Sequence, residues 1–274
     1  MTRLQRLGGI VLLVCAFLLL VILFIPTAQV EGVLRRLLAR QGYSFTAGAF
    51  GKAFPLGIIA RDVTIADGRG ELLRFDRLDV RPVIIPTLMG APTLSVDAVI
   101  GAGTAAIRWR WGKPGGVSVD IRGVLLEQIP FFRSVAGATV KGTLRGEARL
   151  SGVPPRMNGT VKIQVRGGQL ADVKIGGMPL PAVLDETIQG MIRVKEGRGR
   201  VESLTLEGSG LYARVSGEIP LSATAPLELI LELMPKADFL EKQKFVFLLL
   251  FKYLDSPGHY RLPIRGALAK PSLF

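Results

Sequence analysis

Along most of this chain apolar and polar residues alternate with a period of two. Val117, Val119 and Ile121 interleave with Ser118, Asp120 and Arg122; Val161, Ile163 and Val165 interleave with Lys162, Gln164 and Arg166. The same alternation runs through Val140, Leu144, Ala148 and Leu150, and through Ala213, Val215, Gly217 and Ile219. A strand sends successive side chains to opposite faces, so such stretches predict strands with one dry face and one wet face. Turn residues punctuate them at Asp67-Gly68, Gly101, Pro114-Gly115-Gly116, Gly167-Gly168, Gly176-Gly177 and Gly208. About a dozen strands result, among them 57–66, 71–82, 93–101, 105–111 and 260–268, and their short, even spacing favours antiparallel meander pairing.

Three stretches depart from this period. Residues 10–25 form one apolar run preceded by Arg3 and Arg6 and closed by Pro26. With Gly8 and Gly9 the run reaches about eighteen uncharged residues, close to the roughly 20 that a helix needs to cross a bilayer. The reading is an uncleaved anchor over 1–28 and an exported domain over 29–274, with Arg3 and Arg6 holding the N-terminus in the cytoplasm. A cleaved secretory signal is the rival, and it too exports the bulk of the chain. Residues 30–40 place Val30, Val33, Leu34, Leu37 and Leu38 at helical spacing, which predicts a short amphipathic helix packed on its own domain. Residues 237–254, between Pro235 and Pro257, predict a further helix; 181–190 predicts a helical turn, with Asp185 and Glu186 solvated. Inside the longer helix, Phe245 to Phe251 is an apolar run too short to span a bilayer, expected to lie buried against the sheet. Phe245, Phe247, Leu249 and Phe251 are its alternative candidates for contact with a partner or a membrane surface.

Composition narrows the function more by what is missing than by what is present. The hydrophobic content of 49% supports a packed core, and the only cysteine, Cys15, lies in the N-terminal apolar run. The exported part therefore has no thiol for a disulfide or a catalytic nucleophile. There is one histidine, His259, at a strand entry, which suits a structural role, and no zinc-type spacing. Glu228 and Glu232 would stand about 13 Å apart on one face of a strand, too far to share a proton. Gly51-Lys52 lacks the glycine and hydroxyl residue of a phosphate loop. Neither an enzyme nor a cofactor or metal protein is expected. The net charge of +13 is spread along the chain and is not interleaved with aromatics, which points to membrane lipids as partners and away from nucleic acid.

An N-terminal anchor, a short helix and then amphipathic strands to the C-terminus resemble the AsmA-like envelope proteins, and more closely the type II secretion system protein N (GspN) family. The resemblance is carried by Phe54-Pro55-Leu56-Gly57 with Val63 and Ile65, by Gly146 to Leu150 with Ser151-Gly152, and above all by the closing stretch from Gly258 through Tyr260, Leu262-Pro263-Ile264 and Gly266 to Lys270-Pro271. Ala267 stands where such strands often carry Thr. The resemblance implies a single-pass inner-membrane protein with a mostly β periplasmic domain: a curved, antiparallel meander-type sheet with one or two accessory helices. It implies an accessory or scaffold part in type II protein secretion, with other secretion-system subunits as partners. The alternative is an AsmA-like lipid-binding or lipid-transfer protein with an apolar groove. Val161, Ile163, Val165, Leu227, Leu229, Leu231 and Leu233 are the candidates for that groove, or for an ordinary core.

Overall fold

The computed structural model describes residues 27–274 apart from 54–55, 114, 136, 154–155, 176–177, 180, 209, 221–225, 227, 268–269 and 273–274. The apolar run at 10–25 and Leu227 lie outside the described residues. Among the described residues no helix is long and apolar enough to cross a membrane.

The alternating stretches pair into one large, curved antiparallel sheet. Helix α1 (Thr27–Arg40) leads into the short strands β1 (Ser44–Thr46) and β2 (Ala49–Ala53). Then come β3 (Gly57–Asp67), β4 (Gly70–Pro82), helix α2 (Ile84–Leu88), β5 (Thr93–Ile100), β6 (Gly103–Arg110) and β7 (Gly116–Leu125). A 3-10 turn and helix α3 (Pro130–Ser134) precede the longest strands, β8 (Thr139–Val153) and β9 (Arg156–Ala171). The hairpin β10 (Lys174–Ile175) and β11 (Met178–Pro179) stands apart from the sheet. The meander resumes with β12 (Val183–Lys195), β13 (Arg198–Glu207), β14 (Leu211–Pro220) and β15 (Glu228–Pro235). Helices α4 (Ala237–Lys242) and α5 (Lys244–Leu249) are followed by β16 (Leu254–Ser256), β17 (His259–Ala267) and β18 (Lys270–Ser272). The main path runs β1-β3-β4-β5-β6-β7-β8-β9-β12-β13-β14-β15-β17-β16, with β2 beside β3 and β18 beside β17. No pairing joins β1 to β16 among the described residues, so the sheet is open.

Two elements differ from the sequence expectation. The expected helical turn at 181–190 is instead mostly strand β12, because Val183 and Ile188 pair with Leu170 and Val165 of β9 and continue its dry face. Glu186, expected in solvent, is only 1% exposed within this strand. The helix expected over 237–254 is broken at Gln243 into α4 and α5, and Phe251–Tyr253 is a 3-10 turn.

Helices α1, α4 and α5 cover the apolar face at the two ends of the sheet, and between them α3 and the 3-10 turn before it pack against β4 and β8 at one margin of the strands. At the N-terminal end Phe45, Ala60 and Val63 form a small core under Leu34 and Leu38 of α1. At the C-terminal end Phe247 and Leu250 pack on Leu211, Leu231, Leu233, Tyr260, Leu262 and Ile264. Phe247 stacks obliquely on Tyr260 with ring centroids 5.0 Å apart, and edge-on to Phe239 at 6.2 Å. The apolar run at 245–251 is thus not buried as a unit: Phe247 and Leu250 face the sheet, while Phe245 is 75%, Leu249 43% and Phe251 65% exposed. The helical period explains the split, since residues three apart share one face.

Leu250→Ala is therefore expected to cost about 2–5 kcal/mol through lost burial and the cavity left behind. Leu249→Ala should cost less than about 1 kcal/mol. Urea unfolding followed by the strand circular-dichroism signal checks this; equal losses would contradict the assignment of helix faces.

Candidate functional site: an uncovered apolar sheet face

Cross-strand register lines up the dry residues into continuous rows. One row passes through Ile58, Val80, Val96, Ile107, Val119, Ala148, Val161, Ile192, Val201, Gly217, Leu229 and Ile264, one residue from each of twelve strands. A parallel row passes through Ala60, Leu78, Ala98, Ala105, Ile121, Gly146, Ile163, Gly190, Leu204, Val215, Leu231 and Leu262. Neither row contains a polar side chain. The second alternates large and small residues in its middle, so Gly146 and Gly190 form troughs between Ile121, Ile163 and Leu204. A Cβ at Gly190 would lie 2.8 Å from Leu204 Cδ1. Gly217 has a different reason: its φ is +127° and a Cβ there would lie 2.1 Å from the Glu228 carbonyl oxygen, so the strands can close up only around glycine.

Over the central strands no described helix lies on these rows. Val96, Val119, Ala148, Val161 and Ile192 are half-buried by their neighbours alone, and Ile107 is 36% exposed. Trp109 and Trp111, each 41% exposed, extend the same face towards the strand ends, with ring centroids 4.8 Å apart. The uncovered face leads into a cavity of about 240 Å³ beside the C-terminal core. Its walls include Leu170, Val183, Ile188, Leu206, Leu211 and Leu233.

The groove candidates from the sequence therefore divide by location. Val161 and Ile163 sit half-buried on the open stretch; Leu229 is half-buried against the C-terminal core. Val165, Leu231 and Leu233 are buried. Sequence reasoning missed Ile107, Trp109, Trp111, Val119 and Ile192 as members of the same surface. Their signal was present in the alternation, but only the register shows that they adjoin Val161 and Ile163. The spacing of Glu228 and Glu232 likewise acquires partners: Glu232 faces Arg214 and Arg261, and Glu228 faces Glu218.

The opposite face is charged and largely self-satisfied. Arg81 donates to Asp79 at 2.7 Å, Arg122 to Asp120 at 2.7 and 2.8 Å, and Arg149 lies 2.6 Å from Glu147. The pairing with Asp79 raises the Arg81 guanidinium above its ordinary value, and the Arg122 hydrogen bond holds the Asp120 carboxyl below the usual carboxylate value. Asp67 is lowered by the Arg69 backbone N–H. Glu186 occupies space left by Gly208, whose added Cβ would meet its carboxylate. His259 Nδ1 lies 3.3 Å from Asp255 Oδ2 at the head of β17. Among the described residues no cluster of His, Cys, Asp and Glu could hold a metal ion.

No family model, curated protein or solved structure matches the chain.

A carboxyl lowered in the folded state contributes stability above the unfolded pKa and loses it as pH falls through the folded value. Asp120→Asn is thus expected to flatten the decline of the melting midpoint below about pH 4. A pH series on both proteins checks this; parallel acid limbs would show that the Arg122 pairing does not favour the folded carboxylate.

Proposed function

We propose that this chain is an envelope protein that holds the acyl chains of lipids along the uncovered face of its sheet. The observation supporting this reading is the charge-free rows left half-buried over β5 to β12, while helices seal both ends. A large apolar patch that a fold does not cover itself marks an interaction surface. The shape favours a long, thin, apolar ligand: the rows run across the strands, and neighbouring strands are about 4.8 Å apart, so six strands span roughly 24 Å. No catalytic role is part of this proposal. An N-terminal anchor at 10–25 and a periplasmic setting belong to this proposal, and lipid as the ligand is consistent with them.

An accessory role in type II secretion, of the GspN kind, is the second reading. It is favoured by the exposed Phe245, Leu249 and Phe251, which the C-terminal core leaves free for a partner subunit. The two readings are compatible, since different surfaces serve them.

Binding of cis-parinaric acid to the full-length chain in detergent is expected to be saturable. Ile107→Asp, which places a charge on the apolar face, should weaken it roughly tenfold or more. Ser118→Asp, on the charged face of the adjoining strand, should leave it unchanged. Affinity unaffected by Ile107→Asp, or no saturable binding, would overturn the acyl-chain reading.

A further inference from the structure

The strand ends where β4, β6 and β8 finish and β5, β7 and β9 begin carry a surface that the acyl-chain reading shares only at Trp109 and Trp111. Here α2 and the residue that caps it expose four large apolar side chains: Ile84 at 44%, Ile85 at 72%, Leu88 at 74% and Met89 at 81%. Trp109, Trp111 and Val153 are exposed at the same sheet edge. The segment is held firmly. Val83 N–H donates to the Thr93 carbonyl at 2.8 Å, Ala91 N–H to Pro86 at 2.8 Å, and Trp111 N–H to Pro92 at 2.9 Å. The Thr87 hydroxyl adds a bond to the Val83 carbonyl at 2.7 Å. Its apolar side chains are thus displayed on a hydrogen-bonded backbone.

Directly beside α2 lies a groove of about 730 Å³ on the charged face. Arg108, Arg110 and Arg149 line it, with the hydroxyls of Thr93, Ser95, Ser118 and Ser151. No carboxylate is among its lining residues. Arg108 and Arg110 stand two residues apart on one face of β6, about 6.6 Å along the strand. Arg149 is paired with Glu147 at 2.6 Å, so the cationic character of the groove rests on Arg108 and Arg110.

We propose that this edge docks on an anionic lipid bilayer, with α2 and the tryptophans entering the interface and the arginine groove receiving headgroup phosphates. Three features select a bilayer over a protein partner. Aliphatic side chains project from α2 and the residue after it; two tryptophans, the residue type favoured at the membrane–water boundary, stand at the same strand ends on the dry face; and on the charged face a cationic groove adjoins α2 through Val83, Pro86 and Ala91. The docking does not depend on acyl-chain binding by the sheet face, so either can fail alone.

The test uses the full-length chain held in phosphatidylcholine nanodiscs and measures capture of separate vesicles. Vesicles rich in phosphatidylglycerol should be captured in preference to phosphatidylcholine vesicles, and less well as salt rises. Ile85→Asp with Leu88→Asp should lower capture roughly tenfold or more. Arg108→Gln with Arg110→Gln should abolish the preference for phosphatidylglycerol. All four residues are exposed, so melting midpoints should not move; if the aspartate pair destabilises the fold, Ile85→Gln with Leu88→Gln replaces it. Capture unchanged by both pairs overturns the proposal. So does capture lost only with Phe245→Asp, which would put the lipid contact on α5. Cis-parinaric acid binding that persists in the α2 variants separates this outcome from the acyl-chain reading.

Discussion

The rest of the structure depends on register. Twelve strands hold their apolar residues in shared rows, and a slip of one residue in any strand would turn its dry side chains to the wet face. The rows survive even where the apolar residues of a strand are an odd number of positions apart. Ala60 and Val63 are bridged by Asp62 at φ +49°, Ile121 and Val124 by Gly123 at +65°, and Val165 and Leu170 by Gly167 at +61°. Between Val201 and Leu204 the pairing itself shifts. Each device inserts or rotates one residue and returns the strand to the common face. The long apolar surface is thereby continuous over a sheet whose strands are individually irregular.

The period of two was legible in the sequence, and with it the strand nature of most of the chain. The stretches expected at 57–66, 71–82 and 93–101 correspond closely to β3, β4 and β5. The helix expected over 30–40 lies within α1. What could not be read was which strand lies beside which residue. Val161 and Ile163 were recognisable as dry, but their adjacency to Ala148 and Ile192 is a property of pairing. The misreading of 181–190 has a related cause. Pro181, adjacent acidic residues and Gly190 suggest a turn locally, yet β9 supplies a long partner edge, and the strand forms against it. Burial of Glu186 follows, with Gly208 giving it room. The apolar run at 245–251 was read as one block because seven consecutive apolar residues hide the helical period that divides them.

The two faces of the sheet solve different problems. On the charged face, arginine and carboxylate residues two apart along a strand pair with each other; Arg122 with Asp120 and Arg149 with Glu147 do so at the surface, where such pairs contribute little stability, while Asp79 is buried between Arg77 and Arg81. They keep that face wet. The dry face has no such means; helices shield its ends, through Leu34 and Leu38 at one and Phe247 and Leu250 at the other, and α3 packs at one margin of β4 and β8. Between them the sheet keeps a surface that its own described helices do not close. In the proposed function this uncovered stretch is the purpose of the architecture, and the covered ends supply its stability.

The most direct test uses the two tryptophans, the only ones in the chain. Trp109 and Trp111 both lie on the uncovered face, so a brominated fatty acid bound along it must approach their rings. Titrating the full-length chain with brominated fatty acid below its micellar concentration should quench tryptophan fluorescence saturably. A non-brominated acid should relieve the quenching by competition. Quenching that is linear and not relieved by competitor, or that is absent, would contradict an acyl-chain surface on this sheet.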